Sequence, residues 1–309
     1  MNKPVNIPYD DLTKTITMFW IDKNLEESMA AEVAERVAAM QSKLTQIGTP
    51  EGLKAYIISD KDSLSNILSL LEISEEKFKR IISMLRRERR YVFSTEWSLD
   101  KTRSVLVDNA SFMDDVCELL TNGTDSERFK RKIPDFYRDS FRIDQKALSR
   151  LTDAGELTRM VKRQLDVKYN NSVANIVLRK IEDAVKLTCD TEGVTYVKNK
   201  PVDCLGKTYN FAIPDAKKPR IVIDCSYNIT TSSTQTKYAD KTEDTRKEII
   251  NMGMPIVTVN VLEGSGWIGR QSDYKRIYEN SDYSLNITNI GMLDQIIRYA
   301  LEGNNNDCR

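Results

Sequence analysis

Residues 208–236 read TYNFAIPDAKKPRIVIDCSYNITTSSTQT. Two short apolar runs flank a charged turn that is bracketed by Pro214 and Pro219, and the second run carries an acid, Asp224. Proline pre-sets the backbone for such turns, so the stretch predicts a β-hairpin. If residues 214 and 220 face each other across the turn, Asn210 lies opposite Asp224. Side chains alternate along a strand, which puts Asp224 and Ser226 on one face and Cys225 on the other. Asp215, in the turn, falls five residues from the level of Asp224, or about 17 Å at strand rise. A metal holds its oxygen ligands at about 2.5 Å, so Asp215 is not expected to share one with Asp224. The site positions on this register are Asn210, Asp224 and Ser226.

Around the hairpin, residues 172–188 place Val173, Ile176, Val177 and Ile181 on one face at helical spacing. Strand-like runs follow at 194–197, 208–213, 220–227 and 255–262. A polar-faced helix between the last two ends at a glycine, and SLNIT and MLDQIIRYALEG close the chain as strand and helix. The order is that of a mixed α/β core.

Upstream, the character is helical. Residues 25–46 carry strong helix formers with acids first and lysine late. In residues 62–90, Leu64, Ile67, Leu68 and Leu71 repeat at helical spacing, and a break follows with Ser74 as N-cap. A second helix then places Phe78, Ile81, Ile82 and Leu85 on one face. Two short helices with a tight joint suggest a helix-turn-helix. Residues 75–90 hold seven Lys or Arg against three Glu, a local excess able to contact phosphates. Residues 91–93 and 104–107 read as two short strands, which would make the module winged.

Composition narrows the chemistry. The 309 residues are 40% apolar and 30% charged with zero net charge, so a DNA partner would be met by local patches. There is no histidine, which excludes Ser-His-Asp triads, Cys-His pairs and HExxH zinc sites. Hydrolysis would rest on carboxylates, lysine, hydroxyls and a hard metal. Five scattered cysteines form no CxxC pair, and no apolar run of about 18 residues occurs. The expectation is a cytoplasmic protein with no membrane segment.

The core order and several motifs resemble the PD-(D/E)xK nuclease superfamily, and within it the type II restriction endonucleases. The stretches that carry the resemblance are Asn210-Phe211-Ala212-Ile213-Pro214, the hydroxyl-rich run 231–236, and Gly264-Ser265-Gly266-Trp267, over residues 170–302. The resemblance implies an Asp, Glu and Lys where this chain has Asn210, Asp224 and Ser226. It also implies Mg²⁺ held by Asp224 and Asn210, and double-stranded DNA cut by a homodimer. Gln235, Thr236 and Lys237 would lie near the DNA, with Lys79, Arg80, Arg86 and Arg87 of the basic helix as further contacts. The expected architecture is a helical recognition region over 1–165 and a restriction-endonuclease-like mixed-sheet core over 166–309. Three readings stay open: an active endonuclease, a nuclease fold inactivated at Asn210 that binds specific DNA without cutting, and a DNA-binding regulator.

Overall fold

The computed structural model describes residues 2–92, 95–123 and 125–303. The chain forms two compact units: Met1–Leu25 with Lys168–Arg309, and Glu26–Val167.

The first unit is built on a five-stranded sheet with strand order β1-β2-β3-β4-β5: β1 Val197–Val202, β2 Lys207–Ile213, β3 Ile221–Tyr227, β4 Val257–Glu263 and β5 Tyr283–Leu285. β1, β2 and β3 run antiparallel, whereas β3, β4 and β5 are parallel. The parallel step from β3 to β4 needs a crossover, and the helix Ser233–Met252 supplies it. Its ends are well defined. A Ser232–Gln235 capping box opens it, and Gly253, left-handed at φ 59°, closes it.

Alternation along the strands sorts the core into two layers. Phe211, Ile213, Ile221, Ile223, Val259 and Val261 pack with Val173, Val177, Ile181 and Val185 of the helix Ala154–Glu192. Val202, Tyr209, Ala212 and Val222 cluster instead with Ile249 of the crossover helix. The helical segment expected at 172–188 is thus part of a 39-residue helix.

Residues 2–25 fold with this sheet and not with the helical region expected over 1–165. Leu12 and Ile16, from the helix Tyr9–Thr15, are buried with Leu262, Trp267, Tyr274 and Ile277. Glu263, at the end of β4, is buried and accepts from the Thr17 and Ile287 backbone N–H groups at 2.8 and 2.5 Å. Burial pushes this carboxyl above the usual glutamate range.

The second unit is helical. The helices Ser63–Leu70 and Glu75–Glu88 lie where the sequence places them, and Ser74 caps the latter by accepting from Lys77 N–H at 3.2 Å. The wing is a correction. Residues 104–107 belong to the helix Leu99–Asp108, which buries Thr102 and Leu106 at i, i+4 spacing. Tyr91 and Val92 are not in a strand, and Phe93 lies outside the described residues.

Candidate active site

The register of the hairpin is Phe211↔Ile223, Ala212↔Val222, Ile213↔Ile221, as expected near the turn, and the ladder ends there, one pair short of Asn210 and Asp224. Asp215 sits in the turn as argued. Its carboxylate accepts from Lys217 and Lys218 N–H at 2.7 and 2.8 Å, and those bonds hold its pKa below the usual range.

Beyond Phe211 the alternation breaks. Tyr209 and Ala212 share one cluster although three positions separate them, and Asn199, on the neighbouring strand, is left-handed at φ 50°. Asn210 sits at this break. Its side-chain oxygen accepts from Cys225 N–H at 2.7 Å, and its amide donates to Asn199 Oδ1 at 3.2 Å. The side chain thereby stitches β1, β2 and β3 together, and its oxygen already receives a backbone N–H.

Asp224 lies between the sheet and the crossover helix, 9% exposed. Its partner is a residue the strand spacing does not announce. Lys241 of the helix Ser233–Met252 places Nζ 2.5 Å from Asp224 Oδ2 and 2.6 Å from the Thr208 carbonyl. The ammonium also stands 4.4 Å from the Tyr209 ring centroid, within cation–π range. Burial raises the Asp224 pKa, and the Lys241 charge opposes that rise. The signal that could have located Lys241 is helical. Tyr238, Thr242 and Thr245 repeat at i, i+4 and i+7 on the inner face, and Lys241 lies beside them. A cavity of about 10 Å³, room for one water, lies among Tyr209, Asp224, Lys241, Thr245 and Asn260.

Ser226 accepts from Asn228 Nδ2 at 2.6 Å and supplies no charge. Beside it, the Gly264-Ser265-Gly266-Trp267 turn acquires a steric reason. A Cβ on Gly264, at φ 98°, would lie 2.3 Å from the Asn228 carbonyl oxygen, and one on Gly266 2.5 Å from that of Thr230. Trp267 is fully buried, with its indole N–H 3.4 Å from the Ser226 carbonyl.

The donor set does not fit a divalent metal held by the protein alone. Among the described residues, no group of three or more His, Cys, Asp or Glu is placed to hold one. Asp224 already faces an ammonium, and the Asn210 oxygen is engaged by Cys225. Mg²⁺ sites draw on carboxylate charge, which is short here.

The expected DNA contacts divide. Gln235 is a correction: it is fully buried, and its oxygen accepts from Ser232 N–H at 2.8 Å as part of the capping box. Thr236 donates to Asp273 at 3.0 Å, while Lys237 is exposed. Arg86 is a second correction. Only 1% exposed, it donates to the Thr95 and Val92 carbonyls and lies 3.9 Å from the Trp97 ring centroid. It holds the end of its own helix rather than facing a ligand. Lys79 pairs with Glu75 at 3.0 Å and Arg80 with Glu96, whereas Arg87 is exposed along a groove of about 580 Å³ with Arg80, Ser83 and Met84.

Residues 156–301 match the family model of the BanI C-terminal domain, over somewhat less than half of the chain. Over that stretch the chain resembles a type II restriction endonuclease. No curated protein matches it. The match covers the long helix, all five strands and the crossover helix, and so takes in Asn210, Asp224 and Lys241. A restriction-enzyme-like role is thereby supported for the domain that carries the hairpin. Among the described residues, no helix is long and apolar enough to cross a membrane.

Proposed function

We propose that the chain is a site-specific deoxyribonuclease of the type II restriction class, acting on double-stranded DNA as a homodimer. The observation that carries this reading is the match of residues 156–301 to the BanI C-terminal domain, over the sheet whose β3 strand carries the buried Asp224. In this reading Asp224 is the acid of the site, with Asn210 and Ser226 beside it. Lys237 and Thr236 at the start of the crossover helix, and Lys79, Arg80 and Arg87 on the basic helix, meet phosphates. The paired helices Ser63–Leu70 and Glu75–Glu88 serve as a helix-turn-helix that contributes to sequence choice.

A second reading is favoured by a specific observation. Asp224 is paired with Lys241, and the resemblance's first acid is replaced by Asn210. A nuclease fold with one neutralised carboxylate would bind specific DNA without cutting it.

Digestion of a mixed DNA substrate, with Mg²⁺, Mn²⁺ or EDTA, separates the two. Discrete fragments sharing one end sequence are the expected result for the endonuclease. A sequence-specific gel shift with no fragments under any ion supports the binding-only reading. In that case Asn210→Asp is the decisive variant, since gained cleavage identifies an interrupted site. Absence of both cutting and specific binding sinks both.

A further inference from the structure

The ammonium at Asp224 comes from the wrong element for the resemblance, and its surroundings say what it does. In the strand pattern that the resemblance implies, a lysine stands two residues after the acid. Here that position is Ser226, whose oxygen accepts a hydrogen bond from Asn228. The positive charge arrives instead from the middle of the crossover helix, with Nζ 2.5 Å from Asp224 Oδ2 and 2.6 Å from the Thr208 carbonyl oxygen. One carboxylate oxygen and one backbone carbonyl oxygen are the kind of donors that a hard divalent cation takes. The Tyr209 ring face, 4.4 Å away, adds a third attraction for a cation at the same point. Lys241 is fixed there by a helix capped at both ends, not by a mobile loop.

We propose that Lys241 is a built-in counter-ion that occupies the cation position at Asp224, so that the free protein holds no divalent metal there. A metal entering beside Asp224 would meet the repulsion of the ammonium. It would also find the Asn210 oxygen already bonded to Cys225 N–H. The inference rests on reading Asp224 as the acid of the site, but its test needs no DNA. A failed gel shift would therefore bear on the proposed function, and a failed metal titration on this inference.

The test is titration of the full chain with Mn²⁺, read by the paramagnetic signal of the free ion. The wild type should leave that signal unchanged. Lys241→Gln, which removes the ammonium charge, should take up Mn²⁺ with affinity raised about tenfold or more, a gain of about 1.4 kcal/mol or more. Adding Asp224→Asn to that variant should abolish the gain. Uptake by the wild type as tight as that of Lys241→Gln overturns the inference. So does a gain that survives Asp224→Asn, or no uptake by either protein. Melting curves establish that each variant is folded, and Lys241→Met takes the place of Lys241→Gln if the latter is not.

Discussion

Asp224 and Lys241 are worth considering first as a pair of charges taken out of water. A mostly buried ion pair contributes little beyond what a well-packed neutral pair would, yet losing one partner strands the other. Lys241→Met should therefore cost about 3 kcal/mol, because it leaves Asp224 ionised in a site that already disfavours its charge. Asp224→Asn with Lys241→Met together should cost clearly less than the sum of the two single changes. Urea unfolding of the four proteins of this cycle measures the difference, and simple additivity would show that the pair is not coupled. At this scale the sequence was partly legible. Prolines 214 and 219 bracket the turn, and the pairing assumed across it agrees with the register seen at residues 211–213 and sets Asp215 aside. The break of alternation at Asn210 was not legible, because the apolar pattern of residues 208–213 carries no sign of it; Asn199, on the neighbouring strand, is left-handed. Lys241 was not legible either, since it reaches Asp224 across the packing of a helix on a sheet rather than along a strand.

Elements follow the same division between local and non-local causes. The break before the basic helix could be read because Ser74 caps it through its own third neighbour. Residues 104–107, Ser-Val-Leu-Val, have the composition of a strand, but Ser98 caps a helix that runs through them and Leu106 is the residue it buries. Burial on one helical face outweighed β propensity there. Gln235 shows a related difficulty. Its type suits adenine recognition, but the capping box recruits it into the helix end. The Gly264-Ser265-Gly266-Trp267 turn was recognised by resemblance alone, and its cause is the close approach of residues 228–230. Gly264→Ala would combine a left-handed backbone with a Cβ 2.3 Å from a backbone oxygen that has no rotamer to escape into. The expected cost is about 3 kcal/mol or more, read as a lowered melting temperature. An unchanged melting temperature would mean that the turn adjusts freely and that its glycines serve something other than packing.

On the scale of the whole molecule, the consequential finding is which stretches of chain share a core. The segment MNKPVNIPYDDLTKT has little apolar content of its own, so nothing local links it to a sheet that begins almost two hundred residues later. Yet Leu12 is fully buried against Trp267 and its neighbours, and the backbone at residues 17 and 18 takes hydrogen bonds from Gly264 and Ser265 at 3.0 Å each. Thr17 N–H also serves the buried Glu263 carboxylate, which would lose that donor if the segment were absent. Burial of Leu12 and Ile16 contributes about 2 kcal/mol for each side chain. Their sum is comparable with the few kcal/mol by which a domain exceeds its unfolding threshold. Deleting residues 2–22 should therefore unfold or strongly destabilise the sheet unit while leaving the helical unit largely intact. Calorimetry of the truncated chain would show the loss or a large downward shift of one transition, with near-ultraviolet circular dichroism losing the signal of the buried Trp267. If the truncated chain melts as the full chain does, the segment merely lies on the sheet. The Glu263 contacts would then be incidental to its stability, and the core would be complete without the N-terminus.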